Sequence, residues 1–158
     1  MKRVLERMAA EVIATGPNKM DLQIFVSPGE LIDRLTILEI KRGRIPEEGK
    51  RQRIDHALAA LMSTMSENIP STPRLVELSR ELASVNVVLW QAEDDLRNYE
   101  RRQTFDKRFI DTARLVYLNN DRRSELKRHI NELLGSTLLE EKFYSVSQDS
   151  APLGDDRG

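Results

Sequence analysis

The chain has 158 residues, 32% of them charged and 5% aromatic, with 7 Gly, 6 Pro and no Cys. That length fits one ordinary domain, and the composition favours exposed helices over a loop-rich sheet protein. The lack of Cys excludes disulfides, thiolate nucleophiles and Cys-bound zinc, and 25 Lys and Arg against 26 Asp and Glu leave a net charge of −1, with no overall field to gather nucleic acid.

Residues 1–14 place Leu5, Met8, Val12 and Ile13 at helical spacing until Thr15-Gly16-Pro17-Asn18 stops the pattern. Lys2 and Arg3 are followed by Val4-Leu5-Glu6-Arg7, whose charges interrupt any signal-peptide core, and no stretch approaches the roughly 20 apolar residues of a membrane span. The expectation is a cytoplasmic protein with no membrane contact. Residues 1–19 form an N-terminal helical extension, 20–144 one helical domain, and 145–158, which lack an apolar period, a disordered tail.

Leu22, Ile24 and Val26 alternate and predict a short extended segment over 21–26. Ser27-Pro28-Gly29-Glu30 then reads as a helix start: Ser27 suits the N-cap, Pro28 the first helical position, and Glu30 can reach back to the Ser27 amide. This helix runs to about Arg42, and Leu31, Ile32, Leu35, Ile37, Leu38 and Ile40 cover more than one of its faces, which places it between neighbours. Its polar residues must then pair or meet a polar groove; Glu39 is the one expected to be buried, whereas Asp33 and Arg34 fit solvent equally well.

Gly43, Pro46 and Gly49 mark a turn, and Ile54, Leu58, Leu61 and Met65 define a second helix over 47–67. Thr72-Pro73 caps a third, in which Leu75, Leu78, Leu82, Val85, Leu89, Ala92 and Leu96 step by three and four without a miss. After a break at Arg101–Thr104, a fourth helix over 106–134 carries Phe109, Ala113, Val116, Ile130 and Leu134 and ends at Gly135. Two helices of this length joined by a short connection must be antiparallel neighbours. The predicted fold is therefore all-α, a helical bundle built on a long antiparallel helix hairpin.

Asn86, Trp90, Glu93 and Arg97 follow one another by helical steps beside the leucine seam of the third helix. On the fourth, Asn120, Arg123 and Lys127 stand where the apolar stripe would continue. Facing each other, these residues would line a groove for an anionic or hydroxylated small molecule. The plainer account makes Glu93 and Asp94 ordinary partners of Arg97, Trp90 a packing residue, and lets the stripe of the fourth helix drift to Leu115, Leu118, Leu126 and Leu133.

Metal and cofactor chemistry find no pattern. A di-metal bundle needs Glu-x-x-His pairs, and neither His56 nor His129 follows a Glu at that spacing. Helical nucleotide pyrophosphohydrolases need paired Glu-x-x-Glu and Glu-x-x-Asp runs, for which only Glu30 and Asp33 match. There is no Gly-rich phosphate loop and no arrangement supporting a Ser-His-acid triad. The basic run Arg122, Arg123, Lys127, Arg128 and His129 spreads around its helix rather than forming a stripe.

The segments VSPGELIDRLTILEIK, LWQAEDDLR, FIDTARLVYLNNDRRSELKRHINELLGS and EEKFY resemble a family of uncharacterised bacterial proteins classed as a domain of unknown function, over about residues 22–144. The resemblance implies membership without an activity, and an accessory role in glycan or surface-polysaccharide assembly. The functional expectation is a non-enzymatic helical interaction module that pairs with itself as a homodimer or with another cytoplasmic protein. The alternative is a binder or enzyme for an anionic small molecule in the groove of Asn86, Trp90, Glu93, Arg97, Asn120, Arg123 and Lys127.

Overall fold

A computed structural model describes residues 24–138. Four helices follow in order: α1 over Pro28–Arg44, α2 over Glu48–Asn68, α3 over Pro73–Arg102 and α4 over Lys107–Leu133. The described residues contain no strand, so the fold is an all-α bundle. Residues 24–27 have no regular structure, and Ile24 and Phe25 are exposed. The rest of the expected extended segment, the N-terminal extension and the tail lie outside the described residues.

Three of the four helices begin at a side-chain cap, whereas α2 starts after Glu47 without one. Ser27 Oγ accepts the Glu30 amide, Thr72 Oγ1 the Leu75 amide, and Asp106 Oδ1 the amides of Arg108 and Phe109, satisfying donors that a helix start leaves orphaned. Only half of the expected capping box forms at α1, because the Glu30 carboxylate is held by Lys127 of α4 instead. The α3–α4 turn closes on Gln103 at φ +51°, and α4 gives way to Gly135 at φ +65°, the left-handed exit its glycine allows.

α3 and α4, about 45 and 40 Å long at 1.5 Å per residue, form the hairpin, and α1 packs against all three other helices. Two apolar centres result. Ile32, Leu75, Leu78, Leu82, Leu126 and Ile130 fill the space between α1 and the hairpin, and Leu31, Leu35, Ile54 and Leu58 join α1 to α2. The alternative drift of the α4 stripe does not occur: Leu126 is buried, but Leu115, Leu118 and Leu133 are exposed. Leu115 and Leu118 lie in the stretch of α4 where no residue is buried.

Burial is confined to one half of the hairpin. The last buried residue of α3 is Ala92 and the first of α4 is Leu126. Between them Leu96, Tyr99, Phe109, Ala113 and Val116 are only half-buried, with the Phe109 ring edge-on to both Tyr99 and Phe105. Phe105, Ile110, Leu115, Tyr117 and Leu118 are exposed there.

Candidate functional site

Along its contact with α4, α1 is fixed by polar pairs one helical turn apart. The Gly29 amide donates to Asn131 Oδ1 at 2.7 Å, Lys127 Nζ donates to Glu30 Oε2 at 2.7 Å, and Arg123 grips Asp33 through Nε and Nη2 at 2.6–3.1 Å. Positions 123, 127 and 131 recur every four residues and so share one face of α4. Positions 29, 30 and 33 meet them in the opposite chain direction, which makes α1 and α4 antiparallel. These pairs hold the two helices in this register, and Gly29 with Asn131 and the bidentate Asp33–Arg123 contact fit it specifically.

Gly29 permits the close approach at the start of this ladder. A Cβ there would lie 2.5 Å from the Lys127 carbonyl oxygen and 2.9 Å from Asn131 Oδ1.

Asp33 is the centre of the arrangement, with only 1% of its surface exposed. Besides Arg123, its Oδ1 accepts Asn86 Nδ2 from α3 at 2.7 Å. The same Nδ2 donates to Thr36 Oγ1 at 2.8 Å, and that hydroxyl donates to the Asp33 carbonyl oxygen. One carboxylate thus ties α1 to both arms of the hairpin, and among the described residues no buried side-chain polar atom is left without a partner. A charge this deep is tolerated because the bidentate guanidinium and the amide replace the water it gives up.

The expected burial within α1 is thereby reversed: Glu39 is exposed and Asp33 is buried. Arg34, its neighbour on the solvent side, is exposed. Both acids sit in an apolar helix, so composition could not rank them. The available signal was positional, an Asp three residues after Glu30 matching the four-residue spacing of Arg123, Lys127 and Asn131.

Beside this cluster lies a groove of about 360 Å³ walled by α1, α3 and α4. Asn86, Trp90, Glu93, Arg97 and Arg123 line it, together with Ile37, Ile40 and Lys41 of α1. Asn120 and Lys127 do not: Asn120 is half-buried elsewhere, and Lys127 is buried a turn further along α4 against Glu30. Glu93 accepts Arg97 Nη2 at 3.0 Å and Asp94 accepts Nη1 at 3.5 Å, the pairs that the plainer account anticipates. Trp90 is half-buried, with the Arg44 guanidinium 5.8 Å from its ring centroid. The contribution of α1, including Lys41, was not legible because no local pattern tells which neighbour covers a helix face.

A second groove, of about 600 Å³, opens on the α2 side of α1 and shares Ile37, Lys41 and Arg123 with the first. A third, mainly apolar and about 480 Å³, lies among α1, α2 and α3 and is lined by Met62, Met65 and Ile69. Among the described residues no group of three His, Asp or Glu side chains is placed to hold a metal, and no helix is long and apolar enough to cross a membrane. The fully exposed Lys107, at the hairpin tip, has its pKa raised by the hydrogen bond to Asp111 and by that carboxylate's charge. Comparison with protein-family models, curated proteins and solved structures finds no match for the chain.

Proposed function

We propose that this protein is a non-enzymatic helical interaction module that pairs with a second copy of itself through the distal half of its hairpin. The observation that carries this reading is the absence of any buried residue between Ala92 and Leu126, the stretch of the two helices that includes the hairpin turn. Two helices alone cannot enclose a side chain, so the apolar seam that continues through Leu96, Phe109 and Val116 stays half-covered. The five exposed hydrophobics from Phe105 to Leu118 widen that uncovered surface.

A second hairpin laid against it supplies the two missing helices of a four-helix arrangement with two-fold symmetry. Charges of both signs line the tip, Asp106 and Asp111 with Lys107 and Arg108, so an identical copy meets no uniform repulsion. The glycan-assembly role implied by the resemblance would use the same surface for a different protein.

Light scattering at micromolar concentration tests the proposal. The dimer mass is expected for the wild-type chain and the monomer mass for an Ile110→Asp, Tyr117→Asp double variant of unchanged helicity. A wild-type chain that stays monomeric, or a double variant that still dimerises, would reject it.

A further inference from the structure

The groove between α1, α3 and α4 carries a separate inference, independent of self-association. Its charged lining residues are Lys41, Arg97 and Arg123 against the single carboxylate of Glu93. Glu93 is engaged by Arg97, and Asp33, the acid behind the wall, is enclosed by Arg123 and Asn86. Asp94 is a second partner of Arg97, so both arginines of the lining already face carboxylates.

Lys41 is the cation this leaves over. It is half-buried, and among the described residues it forms no ion pair. Its methylene stem can lie along Ile37 and Ile40, as lysine stems commonly do, but its ammonium pairs with none of the described acids. The α1–α4 ladder explains why. Its rungs place an acid of α1 against a base of α4, at Glu30–Lys127 and Asp33–Arg123. Two turns further along α1 the charge reverses to Lys41, and the α4 residue that shares its groove is another base, Arg123.

We infer that this groove binds a small oxyanion, a phosphate or carboxylate group, with Lys41 as the principal contact and Arg97 and Arg123 flanking it. A cation in a partly enclosed site attracts such a group more strongly than one in open water, because fewer water dipoles screen it. Recognition through the ammonium requires only a compact anion, and the neighbouring guanidinium groups extend the site to ligands with two charged groups.

Trp90 makes the test direct, because it is the only tryptophan and stands in the groove wall. Inorganic pyrophosphate and citrate are titrated separately at constant ionic strength, reading Trp90 fluorescence and binding heat. A saturable response is expected for one or both: pyrophosphate alone assigns phosphate, citrate alone assigns carboxylate, and both assign a general oxyanion site. Lys41→Ala should weaken the affinity about tenfold, the loss of one charge-assisted hydrogen bond, without moving the melting midpoint, and Lys41→Arg should retain most of it. Lys107→Ala, a change at the hairpin tip, should leave binding unaltered. The inference is overturned if neither anion gives saturation, if Lys41→Ala binds as the wild type does, or if Lys107→Ala loses as much affinity as Lys41→Ala.

Discussion

Leu82 and Leu96 occupy the same seam of the same helix, two heptads apart, yet Leu82 is fully buried and Leu96 only half-buried. What differs is the third layer. Around Leu82 the hairpin is covered by α1, with Ile32, Leu126 and Ile130 in the same apolar cluster. Around Leu96 α1 has nearly ended and only α4 is available. A regular heptad seam therefore defines which face of a helix is apolar, while burial depends on how many other helices reach it.

The sharpest way to test this contrast is to make the same deletion in both halves. Leu82→Ala should cost about 3 to 5 kcal/mol, the transfer loss plus an enclosed cavity, whereas Leu96→Ala should cost about 1 kcal/mol, both read from urea denaturation at concentrations where the chain is monomeric. Equal losses would mean that the distal half is as well packed as the proximal one. If the distal half is the dimer surface, the penalty of Leu96→Ala should grow with protein concentration, since association then adds to its stability.

The next largest effect belongs to the polar centre that exists only where α1 covers the hairpin. Asp33→Ala leaves Arg123 and Asn86 without their shared acceptor and should cost about 3 kcal/mol. Because most of that loss comes from the abandoned guanidinium, adding Arg123→Met should recover part of it. A double variant no more stable than Asp33→Ala would show that the pair stabilises by attraction rather than by mutual satisfaction.

At the start of the same interface, Gly29→Ala forces a methyl group against the Lys127 carbonyl and should cost about 2 kcal/mol. A melting midpoint equal to that of the wild type would mean that α1 can tilt away without penalty, and that the ladder is looser than its distances indicate.

Trp90 stands at the border between the halves, and its deletion should cost far less than that of Leu82. A fully buried tryptophan would cost about 3 to 5 kcal/mol to truncate, but a half-buried ring facing a groove should cost about 1 to 2 kcal/mol. Iodide should also quench its fluorescence. A collapse of the melting transition on Trp90→Ala, with no quenching in the wild type, would place the ring in the packed core instead.

Local chemistry alone determined the helices of the described region. Ser27, Thr72 and Asp106 act through their own next turn, and Pro46, Pro70 and Gly135 stand in the breaks between or after helices, although Gly43, expected in a turn, lies within α1. The three-four spacing of the α3 seam likewise foretold the hairpin, because an unbroken apolar face must meet a partner and the short turn leaves only the antiparallel one. Asn86, Trp90, Glu93, Arg97 and Arg123 were legible as a groove for the same reason: they are polar or amphipathic positions at helical spacing beside that seam.

Tertiary structure decided the rest. Which acid of α1 is buried, Asp33 or Glu39, depends on where Arg123 and Asn86 arrive from positions 90 and 53 residues away. Asn120 and Lys127 share a face with Arg123 by helical arithmetic, but only the placement of α1 moves them out of the groove and brings Lys41 in. Helical spacing reports the faces of one element, whereas burial and pairing belong to the contact between elements. That contact follows from the sum of weak preferences along every interface, which no single segment contains.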